Sequence, residues 1–496
     1  MPASDHCCTD DEIRADGEIR ADDEIRSPDD VHRYAHLTCL TDQPAGDVGI
    51  ETEWFVVDVT CPSRPVPPSR TMAVLVGNPP QQAPRDASPD TSPGPVEELV
   101  LPGGTRITFE PGGQLELSAP PLPLPDALAR TATDLAAVRS VLTGAGLALV
   151  GMGTDPLRPP RRQLHAPRYA AMEQYFRTNG GRAGEAMMCS TASVQVNLDA
   201  GTPAQWTRRF DLAHALGPVL VAMFAASPVL DGTATGCCST RQALWADIDP
   251  TRTRPVATPH QPDPATAWAD YLLAARVMLV RLPGGDFRLA GGRSTFADWV
   301  AGDGPVARPP TIADLRYHST TVFPPVRPRG WLELRYLDAA PAGNWPVVVA
   351  VTTALLDDPQ AADTAADACV PVAGRWVTAA ALGLRDSALR QAARRCADAA
   401  RDALGRLGAG SGLLAAVNTY IETYVEPGRC PADDLADRLP AGGPQGLLHA
   451  EINAEINAEI NVEASTGTNT EINARADAGT NAGREYPTTR PWVTAR

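Results

Sequence analysis

Lysine is absent from this chain: all 43 basic residues are arginine, set against 59 acids, for a formal charge of −16 over 496 residues. The absence excludes lysine Schiff-base chemistry and, with it, the phosphate-loop lysine of a G-x-x-x-x-G-K-[ST] motif. The acidic balance argues against nucleic acid or an anionic membrane as partner, because the field of the whole chain repels both. An anionic substrate therefore needs a local cation or an arginine pocket. Cysteine is sparse too. The ten cysteines, at 7, 8, 39, 61, 189, 237, 238, 369, 396 and 430, form no C-x-x-C and no ladder of zinc-like spacings, which fits a reduced, cytoplasmic protein. The acidic N-terminus lacks the apolar stretch of a secretory signal. The longest apolar run, "ALGPVLVAMFAASPVL" at 215–230, is too short for a membrane span, is interrupted by two prolines, and reads as a buried helix.

What is present divides into three parts. "DDEIRADGEIRADDEIRSPDD" near the N-terminus and "AEINAEINAEINVEA" near the C-terminus are low-complexity repeats with little apolar surface to pack, so residues 1–40 read as a solvated arm and 431–496 as a tail. The four-residue period of the second repeat places isoleucine on a drifting helical stripe, which allows a short helix there. Residues 41–430 remain as one folded body, with a Pro/Ser/Asp-rich surface loop near 77–95.

Within that body, "TRITFE", "QLELS", "SVQVNLD" and "WLELRYLD" alternate apolar and polar residues as half-buried strands do. "DALARTATDLAAVRSVLTGAG", "RRFDLAHALGPVLVAMFAAS", "AWADYLLAARVML" and "WVTAAALGLRDSALRQAARRCADAARDALGRLG" carry helical spacing. The mixture predicts an α+β fold built on an antiparallel sheet.

Side chains at i and i+2 of a strand share a face. "GIETEW" thus puts Glu51 and Glu53 together; "TFEPGGQLELS" does the same for Thr108 with Glu110 and for Gln114, Glu116 and Ser118; "SVQVNLD" aligns Gln195, Asn197 and Asp199; "WLELRYLD" aligns Glu333 and Arg335. Phe109, Leu115, Leu117, Val196, Leu332 and Leu334 take the opposite side. If these strands share a sheet, one face is core and the other a floor of carboxylates and amides. Like charges at such density call for hard cations, Mg²⁺ or Mn²⁺, and magnesium commonly bridges carboxylates to nucleotide phosphates, so ATP is the natural co-substrate. Any single one of these acids, taken alone, reads as a solvent-facing strand residue; the set carries the metal reading. Elsewhere the bland reading prevails: "GAGSG" at 408–412 is a helix stop, Cys237 and Cys238 are small buried hydrophobes, and His165 and His318 make structural hydrogen bonds.

"GIETEWFVVD", "TFEPGGQLELSAPP", "SVQVNLDAG", "TRQALW" and "TTVFPPVRPRGWLELRYLD", in that order, resemble the glutamate–cysteine ligase family that includes the plant enzymes. "GMGTDPLRPPR" at 151–161 and the "WLELRYLD" strand resemble its bacterial, ergothioneine-related branch. The resemblance covers roughly residues 45 to 425. It implies a glutamine-synthetase-like fold, in which a curved antiparallel sheet forms a funnel with helices packed outside. It implies an ATP-dependent reaction through γ-glutamyl phosphate that joins L-glutamate to L-cysteine. It implies that Glu51, Glu53, Glu110, Glu116 and Glu333 hold magnesium, with Glu51, Glu53 and Arg335 as catalytic candidates. Arg241, Arg335, Gln195, Asn197, Arg327 and Trp245 are expected to contact ATP or substrate, core packing being an equal reading for Trp245. A ligase for another amine and a non-catalytic metabolite-binding homologue are the alternatives, and a monomer or weak oligomer is expected. The plant enzymes' regulatory cysteines have no counterpart here.

Overall fold

A computed structural model describes residues 19–77, 99–179, 181–256, 263–282, 286–291 and 293–466. Twelve strands form among the described residues. The main sheet contains β1 (Asp47–Asp58), β2 (Leu99–Val100), β3 (Arg106–Phe109), β4 (Leu115–Pro123), β5 (Leu147–Val150), β6 (Ser193–Asp199), β11 (Val326–Pro328) and β12 (Trp331–Asp338). β7 (Val229–Leu230) with β8 (Thr233–Ala234), and β9 (Leu279–Arg281) with β10 (Phe287–Leu289), make two small antiparallel pairs. The order is β11-β12-β6-β1-β4-β3-β2, with β5 on the far half of β1, and every pairing in it is antiparallel. The α+β, antiparallel architecture predicted from the alternation is the one that forms.

Period-two alternation decides which side of the sheet is apolar. Ile50, Ile107, Leu115, Leu117, Val194, Val196, Leu332 and Leu334 are all fully buried and belong to one continuous core. The helices Leu124–Gly144, Gly217–Phe224 and Trp345–Asp357 pack on the sheet, and Pro359–Cys369 and Ser387–Leu404 form a second layer over the last of these. Burying one large aliphatic side chain contributes about 1.5–3 kcal/mol, so a core this extensive fixes the strand register firmly.

Several helices differ from the sequence expectation. The run at 208–227 breaks at Leu216 into Trp206–Ala215 and Gly217–Phe224; a Cβ on Gly217 would lie 1.8 Å from the Trp376 ring. "AWADYLLAARVML" is helical only to Ala274, and its last residue, Leu279, begins β9. The long stretch from Trp376 divides at Gly383, whose φ of +55° no helix accommodates, and Asp386 caps the second part by accepting from Ala388 N and Leu389 N.

Both ends require a correction. Residues 28–38, placed in the arm, form a helix whose Val31 and Ala35 are fully buried alongside Ile25. Residues 431–466, placed in the tail, form a helix kinked at Gly443. Leu435, Leu447, Leu448 and Ile452 of that helix pack against Phe55, Val57, Ala148 and Val150. Sparse apolar residues, of which Ile452 alone belongs to the repeat, suffice when a ready-made surface receives them. Residues 1–18, most of the 77–95 loop and 467–496 lie outside the described residues.

Candidate active site

Antiparallel register converts the sequence pattern into rows. Glu53 of β1 stands opposite Glu116 of β4 and Glu116 opposite Thr108 of β3. In the next row Gln195 faces Glu51, and Glu51 faces Ser118. Beyond that, Arg327 faces Glu333, and Glu333 faces Asn197. The predicted floor therefore exists, and it is buried rather than open: Glu116 and Glu333 are each 1 % exposed.

Glu110 joins this floor because of the turn between β3 and β4. Gly113 N donates to Glu110 O, Glu110 N to Gln114 O, and Gly113 has a φ of +89° that glycine tolerates best. Gly112 passes so close to the Cys189 backbone that a Cβ would lie 2.1 Å from its carbonyl oxygen. The Pro-Gly-Gly break is thus dictated by close approach, and it brings oxygen atoms of Glu53, Glu110 and Glu116 within 4.8 Å of one another. Burial, and then the Glu116 carboxylate, push the Glu53 carboxyl above its ordinary value. Three converging carboxylates with one already raised fit a hard divalent cation.

Glu333 stands apart from that trio. Arg327 forks onto it through Nε and Nη2, the latter at 2.9 Å, and Arg335 Nη1 donates to its Oε1 at 2.9 Å. Although burial opposes ionisation, Arg327, Arg335 and Arg329 hold the Glu333 carboxyl far below the usual range. The geometry gives this acid to the arginines. Burial in turn lowers Arg327 to about 10.

Amides tie the two halves together. Gln195 accepts from Arg335 Nη1 at 2.7 Å and donates from Nε2 to Glu53 Oε1 at 3.0 Å. Asn197 donates to Glu51 at 3.1 Å and accepts from Trp331 Nε1 at 3.0 Å. Arg335 is largely enclosed, yet Glu333 first and then Glu51, Glu53 and Glu110 outweigh the desolvation and raise its pKa.

Arg241 comes from the helix Thr240–Asp247 and lies over the Trp245 ring at 4.7 Å, while Trp245 Nε1 donates to Phe323 O. Trp245 therefore supports Arg241 and the core at once. Arg241 Nη2 donates to Arg335 O, but its Nε and Nη1, like Arg335 Nε, are buried with no hydrogen-bond partner among the described residues. The contrast with Arg252 is instructive: equally buried, it donates to Asp249, Thr321 O, Tyr175 and Arg276 O. Guanidinium donors left aimed into a carboxylate-lined site are suited to a planar anion.

Asp338 was not foreseen. Its carboxylate accepts from Ala226 N at 2.9 Å, Ser227 Oγ at 2.6 Å and Ser239 Oγ at 2.9 Å. Ser239 caps the helix that carries Arg241, and Arg241 N donates to Ser227 Oγ. Asp338 thereby fixes the start of that helix. Burial raises its pKa despite the facing charge of Arg241. Gly153 in "GMGTDP" leaves room for it, since a Cβ there would lie 2.5 Å from its carboxyl carbon. The sequence signal it carried was an acid in period two with Leu332, Leu334 and Tyr336, on the apolar side of the strand. His318 is buried, with Nε2 beside Leu272 O, and burial drops its pKa to about 3; His165 lies beside Arg162 at the surface.

Comparison with known proteins places this geometry in context. The chain is 48 % identical over 360 residues to glutamate–cysteine ligase EgtA of Mycolicibacterium smegmatis, covering 72 % of this chain and 80 % of that protein. It is 31 % identical over 337 residues to the chloroplastic glutamate–cysteine ligase of Medicago truncatula, covering 64 % of this chain and 65 % of that one. A solved Francisella tularensis glutamate–cysteine ligase in complex with AMP aligns over 85 % of this chain and 89 % of its own, with 13 % identity and a TM-score of 0.49. The family model described as glutamate-cysteine ligase family 2 matches residues 47–460, a span that takes in every strand of the carboxylate floor and most of the C-terminal helix. The chain belongs to glutamate–cysteine ligase family 2.

Proposed function

We propose that this protein joins L-glutamate to L-cysteine at the expense of ATP, forming γ-glutamylcysteine by way of γ-glutamyl phosphate, as a step toward ergothioneine. The observation that carries the reading is the juxtaposition of the Glu53–Glu110–Glu116 trio with the unpaired guanidinium donors of Arg241 and Arg335. A carboxylate is a poor electrophile, and phosphorylation gives it a leaving group. Bringing two anions together demands positive charge on both sides of the transferring group.

The trio is assigned the divalent cation, Mg²⁺ or Mn²⁺, which when bound neutralises phosphate oxygens. Arg241 and Arg335 take the opposite side, where forked donors bind phosphate or substrate carboxylate oxygens. Glu333 acts through its arginines, holding Arg327 and Arg335 in one orientation, so the five-acid metal set narrows. Gln195 fixes Arg335 relative to Glu53, and Asn197 orients Glu51. Glu51 shares the polar face with the trio, and it is assigned the proton that the attacking ammonium of cysteine must lose. Asp338 keeps Arg241 in register. Burial of the floor keeps water from the acyl phosphate.

The test is ADP release with Mg²⁺ and glutamate, with and without cysteine, read together with mass detection of γ-glutamylcysteine and a Glu116→Ala control. Cysteine-dependent product that disappears in the variant is expected. Equal product from unrelated amines would move the assignment to a ligase of different amine specificity, and no ADP at all would remove it.

A further inference from the structure

Away from the carboxylate floor, two pairs of thiols among the described residues lie in mutual contact, and their surroundings differ. Cys369 and Cys396 are fully buried where the helices Pro359–Cys369 and Ser387–Leu404 pack, and the Cys369 thiol together with burial pushes Cys396 well above the ordinary thiol range. That pair is chemically quiet.

Cys238 and Cys430 are placed otherwise. Their sulfurs and an oxygen of Asp433 lie within 4.8 Å of one another. Arg385 Nη2 donates to Cys238 Sγ at 3.2 Å, its Nη1 donates to Asp433 at 3.2 Å, and Cys430 Sγ donates to Asp433 at 3.4 Å. The Cys430 thiol and then Arg385 lower Cys238 despite its burial, while Cys430 is held high. Gly383 makes the room: a Cβ there would stand 3.0 Å from Cys238 Sγ and 3.1 Å from Cys430 Sγ. The Arg385 side chain is half exposed and forms the outer wall of the pair. A guanidinium seated on the sulfur disfavours a divalent cation in the cluster and favours a thiolate.

We infer that Cys238 and Cys430 form a reversible disulfide, a modification site that ties the start of the helix Thr240–Asp247 to the start of the helix Pro431–Thr466. The oxidant is hydrogen peroxide. The Cys238 thiolate attacks one peroxide oxygen, the O–O bond breaks, and with a proton taken up the first water leaves a sulfenic acid on Cys238. The Cys430 thiol then attacks that sulfur, the S–S bond forms and the S–O bond breaks, and its proton departs with the hydroxyl as a second water. Two thiols are oxidised as one peroxide is reduced. The sulfurs need only close from contact to the bond length of about 2.05 Å, which side-chain rotation beside a glycine permits.

The experiment treats the reduced full-length protein with hydrogen peroxide, alkylates remaining thiols under denaturing conditions, and maps peptides by mass. The expected product is one Cys238–Cys430 linked pair, lighter by two hydrogens and reversed by dithiothreitol, with Cys369 and Cys396 fully alkylated. Cys430→Ser should abolish the link and leave Cys238 trappable by dimedone, and Arg385→Ala should slow linkage at neutral pH severalfold. A link between Cys237 and Cys238, a link at Cys369–Cys396 with the other pair free, or a zinc ion held stoichiometrically by the Cys238–Cys430–Asp433 cluster would each overturn the inference.

Discussion

At the scale of single residues, the site depends on groups that neither pack nor pair fully within the chain. Arg241 is buried between Trp245 and the floor and still has donors to offer, which is costly unless an anion meets them. Replacing it with lysine keeps the charge but removes the fork, and Arg241→Lys should lower kcat/KM by about 10- to 100-fold, measured against glutamate and ATP separately. Glu116→Ala breaks the trio and should cost on the order of 100-fold or more in turnover. It should also remove the thermal stabilisation given by Mg²⁺ with nucleotide, which a merely structural acid would leave in place. Cation affinity carries a pH signature as well. Because Glu53 is raised, a proton competes with the cation at higher pH than at an ordinary carboxylate of about 4.3, so Mg²⁺ binding should weaken on acidification before that value is reached, as titration calorimetry would record.

Elements explain how much of this was legible beforehand. The strands and the face of each glutamate were readable, because period two is a local property: "GIETEW" and "WLELRYLD" state their own polarity. What a single strand cannot state is its neighbour. That Glu53 meets Glu116 while Glu333 meets Arg327 follows from strand order and register, which long-range packing decides. Asp338 was missed for the same reason, since its meaning lies in Ser227 and Ser239, 99 and more residues away. The sequence allows a short helix at the C-terminal repeat but does not show its length or its docking, because its apolar residues are complementary to β1 and β5 and its acids to two arginines: Glu451 pairs with Arg438, and Glu455 with Arg139. Ile452→Ala should therefore destabilise the whole chain by about 2–4 kcal/mol, read as a lowered urea midpoint, though the residue lies in a segment that composition assigns to a tail. Gly112→Ala, by forcing a Cβ into the Cys189 carbonyl, should both lower that midpoint and displace Glu110.

Over the whole molecule, acid should act through buried imidazoles before it reaches the paired carboxylates. Burial depresses His214 to about 4 and His318 to about 3, so both are neutral when folded, whereas the unfolded chain protonates them near 6.5. The unfolded state then binds more protons below that value, and stability falls as pH drops, by about 1.4 kcal/mol per pH unit for each histidine. Stability should begin to fall below about pH 7 and approach this slope between about pH 6 and pH 5, where the unfolded histidines are protonated and the folded ones are not, and His318→Met should reduce it. The acidic net charge leaves the catalytic account dependent on local arginines, which lie in the folded body rather than at its ends. The measurement that bears most directly on the account uses glutamate carrying heavy oxygen in its γ-carboxylate, with ATP, Mg²⁺ and cysteine. If Glu53, Glu110, Glu116, Arg241 and Arg335 assemble an acyl phosphate, one labelled oxygen per turnover appears in inorganic phosphate; phosphate released without label, while γ-glutamylcysteine forms, would contradict it.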